Sequence, residues 1–130
     1  MKQVRCKYPL ALTWNEHVSW DFDAGQAFYR AVFGYEYQDV SGEGFRYAML
    51  MVDGTEVGGI GQYPPETPAG TPAAWSVYFA VDDTDAAVAA AVEHGGSVEH
   101  PIRYSPYGRI GVVTDDQGAV FSLITSPQPQ

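Results

Sequence analysis

A chain of 130 residues with 16 acidic and 7 basic side chains carries a formal charge of −9, which repels phosphate backbones and anionic bilayers and argues against nucleic acid or a membrane as partner. Its one cysteine, Cys6, cannot close an internal disulfide and no Cys/His cluster offers a structural zinc site, so stability has to come from a packed core. The opening MKQVRCKYPLALT lacks a secretory apolar run and no segment reaches the length of a bilayer span, so one soluble, cytoplasmic domain is expected.

In chain order, Trp14 to Trp20 alternates like a strand, and Asp23 to Phe33 follows as a helix with Ala24, Ala27, Phe28, Ala31 and Val32 at helical spacing. Asp21 or Asp23 caps it and Gly34 closes it. A short extended stretch, Glu36 to Val40, leads through a Ser-Gly-Glu-Gly turn to FRYAMLMV (Phe45 to Val52), the turn Asp53-Gly54 and EVGGIGQ (Glu56 to Gln62), where Gly58 and Gly59 suggest a bend or bulge. QYPPETPAGTPAA then holds four prolines and reads as a stiff, exposed linker.

AWSVYFAV (Ala74 to Val81) alternates again, with Trp75, Val77, Phe79 and Val81 on one face. DDTDAAVAAAVEHGG is a capped, alanine-rich helix that ends at Gly95 and Gly96. Ser97 to His100 is a short extended stretch, and Arg109 to Thr114 and Ala119 to Thr125 are strands joined by the turn Asp115 to Gly118. Both halves therefore read β-α-β-β-β. An offset of 62 places Asp21 on Asp83, Asp23 on Asp85, Gly34 on Gly96 and Asp53 on Asp115, so the chain is an internal duplication of class α+β. Module one covers about 11–62, the linker 63–73 and module two about 74–125, and the tail 126–130 is expected to be disordered.

The segments AFYRAVFGY, WSVYFAVDDTDAAV and GRIGVVTDDQGAVFSLI, together with the tandem order, resemble the vicinal oxygen chelate superfamily of glyoxalase I, bleomycin resistance proteins and extradiol dioxygenases. The resemblance covers roughly Ala11 to Thr125 and looks most like its short, actinobacterial-type members. It implies modules whose strands curl into half-barrel cups with the helices on the convex face, and chains that pair as homodimers. Metal-dependent members take one ligand from the first and one from the last strand of each module. Carried onto this chain, those positions are Trp14 and Ser76, then Ile60 (or Gly58) and Ser122. None is a usual divalent-metal donor, so no metal and no other cofactor is expected.

Strand alternation decides about the neighbours Glu16 and His17. If the apolar face of Ala74 to Val81 meets the helix, Ser76, Tyr78 and Ala80 line the cup, and the same phase sends Trp14, Glu16 and Val18 into the cup of module one. His17 then faces the helix, where a hydrogen-bonded structural histidine is expected, and the two cannot chelate one ion. Glu16 is either a general base or ligand anchor, or a carboxylate held by Arg109, Arg46 or a tyrosine hydroxyl. His94 at a helix C-terminus and His100 need no catalytic role.

Trp14, Tyr47, Met49, Met51, Ser76, Tyr78 and Ser122 are the expected cup lining. Tyr104 and Tyr107, on the Pro/Gly loop RYSPYG, stand at its mouth, and Arg109 beside them is a further candidate contact. The expectation is a metal-independent protein that binds an aromatic or cationic small molecule. The alternatives are a metal-independent lyase, isomerase or cyclase in which Glu16 is the general base and Tyr78 or Ser76 polarises the substrate, or an unliganded interaction module.

Overall fold

The computed structural model describes residues 13–126. Cys6, the first residues of module one and the last four of the tail lie outside this range. Two compact units divide the described chain, one from Trp14 to Ser76 and the other from Val77 onward.

The first unit holds β1 (Thr13–Ser19), α1 (Phe22–Phe33), β2 (Glu36–Asp39), β3 (Tyr47–Val52) and β4 (Thr55–Gln62). Its sheet runs β2-β3-β4-β1, with β1 parallel to β4 and the other pairs antiparallel. The Asp21 carboxylate accepts the Ala24 N–H at 2.9 Å and so satisfies a donor at the start of α1. Gly34 ends the helix in the left-handed conformation. Asp53 and Gly54, both at positive φ, make the tight turn that matches the twist of β3 and β4. The expected irregularity near Gly58 is real: Leu50 pairs with Gly58 and Met51 with Glu56, which leaves Val57 as an extra residue.

Phe22, Ala48, Leu50 and Ile60 form the core under α1, with Tyr35 and Tyr37 packed against it. The helix is anchored differently from its sequence spacing. Phe22 is its buried residue, whereas Phe28, Val32 and Phe33 are more than half exposed. Gly25 permits the approach, since a Cβ there would stand 3.1 Å from the Ile60 Cδ1.

The second unit takes up the rest of β5 (Ala74–Ala80), then α2 (Thr84–Glu93), β6 (Ser97–Ser105), β7 (Gly108–Thr114) and β8 (Val120–Thr125). Its strands run β6-β7-β8-β5, with β5 parallel to β8. Asp83 caps α2 through the Ala86 N–H, and His94 stands at its C-terminus. Val81, Ala87, Val88, Val113 and Leu123 form the core, joined by Phe79, Ala91, Ile102 and Phe121.

One sequence expectation changes here. RYSPYG is not a loop, because β6 runs through Pro101 to Ser105 and only Pro106 and Tyr107 turn the chain into β7. Proline is tolerated because β6 is the edge strand of the described residues, with β7 on one side and no described strand on the other. The strand accommodates it with register shifts around His100.

Candidate functional site

Strand register fixes which side chains share the sheet face opposite α1. Glu16 on β1 is the register partner of Gly59 on β4, which in turn pairs with Met49 on β3, while Val18, Gly61 and Tyr47 form the next row. On this face the Tyr47 hydroxyl donates to Glu16 Oε2 at 2.8 Å, and the Trp14 indole N–H donates to the same hydroxyl oxygen at 3.2 Å. Trp14, Glu16 and Tyr47 are half-buried and Met49 is buried. Of the sequence candidates for Glu16, the tyrosine hydroxyl is therefore an observed partner. Arg46 bonds Asp23 and Arg109 bonds Asp85 instead.

Tyr47 can lie across the sheet because β4 is glycine-rich. A Cβ on Gly61 would be 3.0 Å from the Tyr47 Cδ1, and one on Gly59 would be 2.5 Å from its Cζ. The expected last-strand positions need correcting in this unit. Ile60 is fully buried in the core under α1, and a Cβ on Gly58 would meet Leu50 of that core. Gly59 is the residue that faces Glu16. The repeat offset slips from 62 to 63 here, since Glu16 pairs with Gly59 whereas Tyr78 pairs with Ser122.

In the second unit the equivalent face carries Tyr78 and Ser122 side by side, both buried, with Ile110 and Val112 across β7. Arg109 and Tyr104, a cross-strand pair, share the opposite face. Arg109 makes a two-pronged ion pair with Asp85 at the start of α2, at 2.7 and 2.9 Å, and its guanidinium lies 4.8 Å from the Tyr104 ring centre. That pairing holds the Asp85 carboxyl below its usual range and pushes Arg109 upward. Tyr104 is 77% exposed, and Tyr107 in the turn is also exposed. Thus Tyr104 and Arg109 are not on the face that bears Tyr78 and Ser122. Ser76 is half-buried on β5.

His17 does face α1, yet among the described residues the expected hydrogen bond is not made. It is buried between the rings of Tyr29 and Trp75, at centroid distances of 5.1 and 5.2 Å, and its Nδ1 has no hydrogen-bond partner among the described residues. Burial pushes its pKa below the ordinary 6.5. Trp75 in turn donates to the Tyr29 hydroxyl at 3.0 Å. A separate concavity of about 410 Å³ is lined by Trp20, Ala69, Gly70 and Thr71, where the Trp20 indole N–H bonds the Thr71 carbonyl. Nothing in the sequence had marked it.

The donor chemistry does not fit a superfamily metal. Indole, glycine and hydroxyl groups stand at the first- and last-strand positions, and among the described residues no three His, Cys, Asp or Glu side chains gather into a group that could hold an ion.

Comparison with known proteins matches residues 18–123 to the Glyoxalase/Bleomycin resistance protein/Dioxygenase superfamily, and the chain belongs to it. It is 41% identical over 121 residues, 92% of its length, to "Putative glyoxylase CFP32" of Mycobacterium tuberculosis, and 34% identical over 116 residues, 89% of its length, to "Anthracycline biosynthesis protein DauV" of a Streptomyces species. The chain spans less than half of these relatives, 45% and 42%. Among solved structures, a Streptomyces coelicolor methylmalonyl-CoA epimerase variant with 2-nitronate-propionyl-CoA aligns at TM-score 0.61 and 26% identity, covering 90% of this chain and 97% of the other. The Mycobacterium tuberculosis methylmalonyl-CoA epimerase, at TM-score 0.62, 19% identity and coverage of 90% and 88%, shares the fold.

Proposed function

We propose that this is a cytoplasmic, metal-independent small-molecule-binding protein whose ligand, an aromatic or cationic compound, meets the Trp14–Glu16–Tyr47 face of module one. The observation that carries the reading is the hydrogen-bonded chain from the Trp14 indole through the Tyr47 hydroxyl to Glu16. An indole and a phenol beside a carboxylate on a half-buried face offer a flat compound stacking surface and a cation a counter-charge. The likeness to a protein named for anthracycline biosynthesis supports the aromatic class, because anthracyclines are flat and polycyclic. Titration with a fluorescent anthracycline tests it. Glu16→Gln and Tyr47→Phe should each weaken binding by roughly tenfold, the worth of about 1.4 kcal/mol. Unchanged affinity in both variants rejects the assignment of this face. Self-association into a homodimer belongs to the same reading, and a monomer by light scattering would remove it.

A second reading, an enzyme with Glu16 as general base, is favoured by the phenol 2.8 Å from the carboxylate and by the 26% identity to an epimerase. Tyr78 or Ser76 would then polarise the substrate. If Glu16→Gln keeps the affinity for a compound but abolishes its turnover, the enzyme reading replaces the first.

A further inference from the structure

The geometry points to Gly59 as the residue that decides what this face of module one binds, an inference that rests on the face being a ligand site. Gly59 is the register partner of Glu16, so any side chain there would project beside the carboxylate from the neighbouring strand. A Cβ at this position would overlap the Tyr47 hydroxyl and stand 2.5 Å from Cζ, and among the described residues the three nearest atoms it would meet belong to Tyr47. The backbone does not demand glycine here, because Gly59 is not among the residues at positive φ. What demands it is the phenol. Gly58 beside it is different, since its Cβ would press on the Asn15 backbone oxygen at 2.5 Å, a clash with main chain.

This gives the misfit with the superfamily metal pattern a local cause. An indole, Trp14, stands at the first-strand position, and on the strand beside the neighbouring carboxylate Glu16 Gly59 brings no donor, so that Tyr47 occupies the space with its hydroxyl turned to Glu16. Glu16 is capped by a hydrogen-bond donor where a metal would require another donor atom. A side chain at 59 displaces the phenol and breaks its bonds to Glu16 and Trp14. If Tyr47 is also shortened, an imidazole at 59 and the Glu16 carboxylate stand on adjacent strands of one face, a donor pair that divalent first-row metals accept.

The test compares Gly59→Ala, Tyr47→Ala and the double variant by thermal melting, with Gly58→Ala as control. Gly59→Ala is expected to lower the melting temperature in the native background and to cost little once Tyr47 is alanine, whereas Gly58→Ala costs the same in both. Additive losses for Gly59 and Tyr47 would overturn the inference. In ligand titrations with the fluorescent anthracycline, Gly59→Ala should weaken binding as much as Tyr47→Ala does, and full affinity in Gly59→Ala would overturn it. In the Tyr47→Ala/Gly59→His variant, Co²⁺ followed by its visible absorption should bind roughly tenfold tighter than in Tyr47→Ala alone, a gain of about 1.4 kcal/mol, and the gain should vanish with Glu16→Gln. No gain would also overturn it. The melting and Co²⁺ arms need no organic ligand, so a wild-type protein that ignores the anthracycline defeats the ligand reading while these arms still judge the role of Gly59.

Discussion

Module one opens its helix with Phe22 and module two opens its helix with Thr84, and both side chains are 1% exposed. The same buried position is filled by an apolar ring in one copy and by a hydroxyl in the other. Phe22 packs on Leu50 and Ile60. Thr84 instead donates to the Arg109 carbonyl at 2.9 Å and meets the Thr125 hydroxyl at 2.7 Å. Around this exchange the frame is kept: Asp21 and Asp83 cap the helices, and Arg46 and Arg109 pair with Asp23 and Asp85 in the first turns. The sheet faces opposite the helices diverge further. Glu16 faces Gly59 and leaves space that Tyr47 enters, while the equivalent Tyr78 faces Ser122. Duplication has preserved capping and strand order and freed the faces to carry different chemistry.

The two copies differ most in energy at Phe22. Phe22→Ala should cost about 3–5 kcal/mol by denaturant unfolding, because it removes a buried ring and leaves a cavity. Thr84→Val keeps the volume but leaves two polar groups without their partner, for about 1–3 kcal/mol. A smaller cost for Phe22→Ala than for Thr84→Val would contradict the contrast between a packing anchor and a hydrogen-bonding one.

His17 provides a pH-dependent test confined to the first unit. Its folded pKa is lowered by burial, so the unfolded state binds the proton more readily. Stability should be full above the unfolded value near 6.5 and fall as the pH drops below it toward the lowered folded value. His17→Leu should flatten that part of the stability profile. An unchanged slope in the variant assigns the acid sensitivity elsewhere. Smallest of all should be Asp85→Asn. Its ion pair with Arg109 is solvent-exposed, so the melting temperature should hardly move at physiological salt, although Asp85 titrates below its usual range.

The duplication, the capped starts of both helices, the turn glycines and the β-α-β-β-β order were legible because local chemistry dictates them, although the choice of Asp21 over Asp23 as the first cap came only with the structure. β6 was not, because Pro101 reads as a break unless the strand is known to lie at an edge. The phase of β4 was also hidden. One residue of slip between the two copies turns Ile60 into the core and brings Gly59 to the face, and periodicity alone cannot detect a single shift. Alternation did place Trp14 and Glu16 on one side of β1 and His17 on the other. The partners of Arg109 could have been read from the repeat itself, since Asp23 with Arg46 and Asp85 with Arg109 recur in both copies. The lone Nδ1 of His17 and the seating of Tyr47 over glycine have no sequence signature, for each depends on what distant strands bring alongside.

The three tryptophans report on three separate places in the first unit. Trp14 bonds Tyr47 on the proposed binding face, Trp20 is tied to Thr71 by the linker, and Trp75 is tied to Tyr29. Their indole N–H resonances can be followed separately in a ¹⁵N-labelled sample titrated with the anthracycline. The Trp14 resonance is expected to move with saturation while Trp20 and Trp75 stay in place, and Glu16→Gln to reduce the movement at equal ligand concentration. Saturable binding that shifts Trp20 or Trp75 and leaves Trp14 unmoved would contradict it.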